Sequence, residues 1–192
     1  SITTGTGNNA YGIFNDGAFN TTTVSGSIKT TGKYANGIDN LGDSNTTTVS
    51  GSITTTGDDG YGIINYGDSN TTTVSGSINT AGISAGISNA GNNNTTSISG
   101  TVKATGTRSA ALFNWLGSGN SFTLNEGATI IGDILARDAT NNAHDATNSK
   151  LIFNLGASTS YAYSVSGEGE GTGDGQWIFS DLDRSSQVVT TT

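Results

Sequence analysis

The chain of 192 residues has no cysteine, no proline and no methionine, a single histidine, and only 11% charged side chains. Without thiols there is no disulfide staple and no thiolate metal site, so a folded state must be held by burial and backbone pairing. With one imidazole, any nucleophilic triad has to run through His144, which sits beside Asp145 in a polar stretch. No apolar run reaches the roughly 20 residues of a membrane-spanning helix. Lacking also an initiator methionine and a signal peptide, the sequence reads as a piece of a longer protein. Basic residues are few, and the net charge of −8 is uneven: residues 1–125 carry six acidic and four basic groups, residues 126–192 nine and three. Nucleic acid is therefore not expected as a partner, nor is membrane insertion by this fragment.

What the chain has instead is 29 glycines and abundant Thr, Ser, Asn, Val and Ile. Thr, Val and Ile fit pleated strands, whereas Gly and Asn fit turns, so the expected class is all-β. A low-complexity composition of this kind also occurs in disordered chains, but regularly spaced Ile and Val argue for a packed core. That spacing is a repeat. Gly26-Ser27-Ile28, Gly51-Ser52-Ile53 and Gly76-Ser77-Ile78 each open a unit, and the units run for 25, 25 and 24 residues. A fixed period of this length without a helical pattern predicts a solenoid with one coil per repeat. Coils are expected near 1–25, 26–50, 51–75, 76–99 and 100–126, the first beginning partway into a turn of the chain.

Aligning the units gives three apolar columns: Ile13, Ile38, Ile63, Ile87 and Leu112; Val24, Val49, Val74 and Ile98; Ile28, Ile53, Ile78 and Val102. Stacked at the spacing of hydrogen-bonded strands, about 4.8 Å, such columns fill a narrow dry core, and three of them imply three short strands per coil. Asn15, Asn40, Asn65, Asn89 and Asn114 follow one column by two residues, and are expected to bend the chain at a turn while passing amide hydrogen bonds from coil to coil. Gly32, Gly57, Gly82 and Gly106, and likewise Gly17, Gly42, Gly67 and Gly91, form turn columns where a Cβ is expected to be excluded. Asn20, Asn45, Asn70 and Asn94 each head an Asn-Thr-Thr or Asn-Thr-Ser acceptor sequence for glycosylation, which a repeat of turn residues also generates by accident.

Strand alternation places Thr46 and Thr48, and equally Thr71 and Thr73, on the outside when Val49 and Val74 point inward. The Thr-x-Thr rows are expected to last about three rungs, with later copies departing from the pattern. Over residues 100–126 the repeat drifts: Trp115-Leu116-Gly117 lengthens a turn by one residue, and Phe122 and Leu124 replace the Thr-Thr-Val strand. Residues 127–192 keep strand patterning without the period. They read as an irregular continuation of the same solenoid, with polar loop insertions at 137–150 and 167–175.

Candidates for chemistry are sparse. Asp43 and Asp68 are one repeat apart and stack on a turn, with Asp58-Asp59 on another and Lys33 as the nearby base. A polysaccharide-cleaving β-helix would gather its carboxylates in this way, and solvated turn aspartates account for the same pattern. Glu168, Glu170 and Asp174, in a Gly-rich stretch, are the one candidate set for calcium, without the spacing of an EF-hand loop. No other cofactor is expected.

The repeats of the form GSITTTGDDGYGI with Asn and Gly turns, followed by GDILA and FNLG, resemble the passenger region of bacterial type V autotransporters, a likeness that covers nearly the whole chain. The resemblance implies a single right-handed parallel β-helix exported through an outer-membrane barrel that is not part of this chain. It also implies a location on the bacterial surface or outside the cell, and a role as an adhesin or in aggregation and biofilm formation. No motif here matches a family site residue. The expected function is thus non-enzymatic: a rod whose polar ladders, among them Thr46, Thr48, Thr71, Thr73, Asp43 and Asp68, meet another copy of itself or a host-surface glycan or protein. A polysaccharide lyase or hydrolase is one alternative, and an ice-binding solenoid using the Thr-x-Thr rows is another.

Overall fold

Successive coils lie directly on one another, as the 25-residue period requires. The structure, a computed structural model, describes residues 1–107, 109–136, 149–154, 161–162, 177–179 and 189–190. Among these there is no helix, and the strands form parallel sheets wound as a β-solenoid of about six turns, with three strands per coil.

The first sheet stacks Ile2–Thr3, Ser27–Thr30, Ser52–Thr55, Ser77–Thr80, Thr101–Ala104 and Thr129–Ile131. In the second lie Ile13–Asn15, Ile38–Asn40, Ile63–Asn65, Ala85–Asn89, Ala110–Asn114 and Asp133–Ala136. The third contains Thr21–Val24, Thr46–Val49, Thr71–Val74, Thr95–Ile98, Ser121–Asn125, Ser149–Asn154 and Trp177–Phe179. Strands after residue 127 thus continue the three sheets, and Tyr161–Ala162 pairs separately with Val189–Thr190. Ser149 and Lys150, read from the sequence as the end of a loop, belong to a strand. They pair with Trp177–Ile178 and Ser121, which draws them into the sheet.

Each strand forms because its β-branched residues suit a pleat and its alternation puts one set inside. The Thr-Thr-Thr-Val strand 71–74 alternates exposed and buried along its length. The three apolar columns are the core: Ile38, Ile63 and Ile87, Val49 and Val74, and Ile53 and Ile78 are completely buried. Each such side chain contributes roughly 1.5–3 kcal/mol.

The interior is not purely apolar. The Asn40, Asn65 and Asn89 side chains are completely buried. They sit at the last residue of each second-sheet strand, two positions after an inward Ile and hence on the same face. The amide of Asn15 donates to Asn40 at 2.7 Å, Asn40 to Asn65 at 2.8 Å and Asn65 to Asn89 at 2.8 Å. The second amide hydrogen reaches across the core to the inward Thr of the third sheet: Asn15 to Thr22 at 2.9 Å, Asn40 to Thr47 at 3.1 Å, Asn65 to Thr72 at 3.2 Å and Asn89 to Thr96 at 3.3 Å. In the next two coils Phe122 and then Leu151 replace the inward Thr, and Asn114 donates to Ser149 and accepts from Asn120.

The asparagine ladder is therefore internal, and the bend assigned to it lies elsewhere. Left-handed backbone falls four residues later, at Phe19, Ser44, Ser69 and Asn93, with φ of 59°, 56°, 58° and 55°. The inward Asn takes ordinary strand geometry because its amide is needed by the coil above. The glycine columns behave as expected: a methyl on Gly57 would land on the Gly32 carbonyl oxygen, and one on Gly42 on that of Gly17. Close coil-to-coil approach is the reason, since neither has a positive φ.

Candidate functional site

Two surfaces carry the sequence candidates that the described residues include. On the outside of the third sheet stand two columns of hydroxyls, Thr21, Thr46, Thr71, Thr95 and Ser121 beside Thr23, Thr48, Thr73, Ser97 and Thr123, all in register. The face spans five rungs and not three, because Ser97, Ser121 and Thr123 hold the same positions as the threonines before them. It ends where Lys150 and Ile152 take over the two columns. Thr46, Thr71, Thr73 and Thr95 are exposed and Thr48 is half-buried. The array carries no charge and no bulky side chain.

Asp43 and Asp68 do stack on a turn, and the structure shows what they do there. The Asp68 backbone N–H donates to Asp43 Oδ1 at 2.8 Å, the Asn92 N–H to Asp68 Oδ1 at 2.7 Å, and the Ser118 N–H to Asn92 Oδ1 at 3.0 Å. Each carboxylate is a lid on the next coil's turn. Asp59 pairs with Lys33 at 3.8 Å at the opposite corner, and Asp58 is exposed. Beside the Asp43 column runs a second asparagine ladder: the backbone N–H groups of Asn20, Asn45, Asn70 and Asn94 donate at 2.7 Å to the Oδ1 of Asn45, Asn70, Asn94 and Asn120 in turn. Asn45, Asn70 and Asn94 are completely buried, so these three glycosylation acceptor sequences are closed in the folded rod, whereas Asn20 in the first coil is exposed. His144, Glu168, Glu170, Asp174 and the loop 167–175 lie outside the described residues, as do 137–148 of the first insertion.

The third surface is one that the repeat does not announce. On the outer face of the second sheet the in-register column reads Phe14, Asp39, Ile64, Ser88 and Phe113. Tyr11 and Tyr61 flank it on one side, together with the left-handed turn residues Asn9, Tyr34 and Asp59. Tyr66 and Trp115 stand on the other, and the walls enclose a cleft of about 360 Å³. Tyr11 stacks on Phe14 at 5.4 Å, and Phe113 on Trp115 at 6.5 Å.

Asp39 lines this cleft and is only 4% exposed. The Asn36 amide donates to its Oδ2 at 2.8 Å, while Asn36 Oδ1 accepts from the Tyr61 N–H at 2.9 Å. The other carboxylate oxygen, Oδ1, is buried without a hydrogen-bond partner, as is Ser88 Oγ two rungs along the same column. Burial pushes the Asp39 carboxyl above the usual range, against the opposing hydrogen bond from Asn36. Burial, and then the Asp39 charge, push Tyr11 and Tyr66 up. Tyr61 is pushed up to about 12 by burial, with Tyr66 and Asp59 adding to it. All three phenols therefore stay protonated at physiological pH and remain available as donors.

Could the repeat have revealed this cleft? Tyr11-Gly12-Ile13 and Tyr61-Gly62-Ile63 place two of its aromatics in one column, but the column that supplies Asp39 carries no second carboxylate on its other rungs. No protein family, no curated protein and no solved structure matches this chain.

Proposed function

We propose that the chain is the rod of a surface-displayed adhesin, exported as the passenger of an autotransporter, that associates side by side with further copies of itself. One observation supports this above the others: ten aligned Ser and Thr hydroxyls cover one flank for five rungs with no charge among them. Two such flanks pair by many bonds, each worth about 0.5–1.5 kcal/mol net, so length supplies an affinity that no single contact has. The charge distribution agrees, since the regular coils up to residue 125 carry little net charge and repel one another weakly. The exposed carboxylates of Asp43 and Asp68 are committed to capping turns, which favours a structural part for them over polysaccharide cleavage.

Displayed on bacterial cells through a barrel, the chain is expected to clump the cells, and the double variant Thr48→Lys with Thr71→Lys to disperse them. A chain that sediments as a monomer at high concentration, with no clumping of displaying cells, overturns this function. The length of the hydroxyl face also favours a second reading, binding to ice. Inhibition of ice recrystallisation in a dilute sample, lost in the same double variant, separates it from self-association.

A further inference from the structure

The cleft on the second sheet has features that the hydroxyl flank lacks: large aromatic planes, a desolvated carboxylate and a fixed amide. Its rings stand at intervals set by the coils. Tyr11 and Tyr61 are two rungs apart, and so are Tyr66 and Trp115, which is roughly 9–10 Å along the rod. The cleft is thus an elongated groove along the rod axis, suited to an extended ligand. Its charged lining residues are Asp39 and Asp59, and no basic side chain lines it. The nearest cation, Lys33, is held at the rim by Asp59 at 3.8 Å, so an anionic ligand meets the Asp39 carboxylate inside the cleft with no free counter-charge among the lining residues. The buried Asp39 Oδ1, without a partner, calls for a hydrogen-bond donor, and the protonated phenols of Tyr11, Tyr61 and Tyr66 supply donors of their own.

We propose that this groove binds neutral oligosaccharides, with Tyr66, Trp115, Tyr11 and Tyr61 stacking on the apolar faces of alternate sugar rings and Asp39 accepting from a sugar hydroxyl. A sugar presents what the groove is built for: C–H faces for aromatic planes and hydroxyls that both donate and accept. Asn36 holds the carboxylate in place by its bond to Oδ2, while Oδ1 stays buried and unpaired until a donor reaches it. A peptide of similar length also offers donors and acceptors along its backbone, but it has no flat C–H faces recurring along its length to lie on the aromatic walls of Tyr11, Tyr61, Tyr66 and Trp115. The inference deepens the adhesive reading by naming a class of ligand. It rests on a different sheet from the hydroxyl flank, so the two can fail separately.

The test is titration of the chain with tri- to hexasaccharides of β-1,4-linked glucose, β-1,4-linked galactose and α-1,6-linked mannose, beside sialylated and sulfated glycans and a neutral peptide library. Binding to at least one neutral series is expected, growing with chain length and weakened at least tenfold by Tyr66→Ala or Trp115→Ala. Both side chains are partly exposed, so both variants are expected to keep the unfolding midpoint. Asp39→Ala is expected to weaken binding comparably. The Thr48→Lys, Thr71→Lys variant disperses cells yet keeps the saccharide affinity, which separates this site from self-association. Binding to no neutral saccharide, a preference for the acidic glycans or for peptides, or affinity unchanged in Tyr66→Ala and Trp115→Ala would each overturn the proposal.

Discussion

At the scale of single residues, the side chains that hold the rod together are polar as often as apolar. Asn65 gives one amide hydrogen to Asn89 and one to Thr72, and accepts from Asn40, all inside the core. Asn65→Ala leaves those three partners facing a buried gap. At about 1–3 kcal/mol for each group left unpaired, the expected loss is on the order of 3 kcal/mol or more, measured as a fall in the urea midpoint. A loss under about 1 kcal/mol would mean that the ladder is ornamental. Asp39 makes the opposite case, a residue kept at a cost. Its native carboxyl binds a proton more tightly than the unfolded one because burial disfavours the charge. Its contribution is therefore fully present below the ordinary aspartate range and is lost as pH rises through the raised native value. The neighbouring phenols of Tyr11 and Tyr66 are neutral over this range, and Asp59 shares the cleft. Asp39→Asn, neutral throughout and still able to accept from Asn36, is expected to be more stable than the native chain at pH 7, with the gap closing toward pH 3. A gain that does not change with pH would contradict this account. A folded chain that tolerates such a penalty in the cleft is what a binding function predicts.

At the scale of strands and turns, the repeat is legible because alternation and period act together. Ile38, Ile63 and Ile87 recur at one place in the unit, strand geometry turns them inward, and stacking follows. The outward threonines follow from the same rule, which is why Thr46, Thr48, Thr71 and Thr73 are found where expected. The length of their array was less legible, since Ser97 and Ser121 look like departures until register shows that a hydroxyl is what each column conserves from rung to rung. The turns hid more. Asn suits both a left-handed bend and a buried amide ladder, and composition alone does not tell these apart. The decisive fact is parity: Asn40 lies two residues after Ile38, on the inward face. The cleft was the least legible part, because a repeat advertises what recurs and Phe14, Asp39, Ile64, Ser88 and Phe113 share only a position. The glycine turns give a direct check on stacking. Gly57→Ala drives a methyl against the Gly32 carbonyl oxygen and is expected to cost about 1–3 kcal/mol in denaturant unfolding, as overpacking does. An unchanged midpoint would mean that the coils have room for a methyl group between Gly57 and the Gly32 carbonyl.

At the scale of the whole molecule, each coil touches only its neighbours, so stability is close to a sum of coil terms and interface terms. Removing residues 51–75 takes out one complete coil and joins Ser50 to Gly76, restoring the Ser-Gly-Ser-Ile sequence of the corner. Asn40 then meets Asn89, and Val49 meets Ile98, so both the amide ladder and the apolar columns close over the cut. The shortened chain is expected to keep a parallel-β circular dichroism spectrum and to unfold with a lower m value, in proportion to the surface that no longer forms. Function should divide at the same cut. The hydroxyl flank shrinks from five rungs to four and should still support clumping, more weakly. The cleft loses Tyr61, Tyr66 and Asp59 together and should bind no saccharide. A deletion that unfolds the chain would contradict the additive picture of the rod. One that folds and still binds sugars would move the ligand off the second sheet, leaving the fold and the hydroxyl flank as they stand.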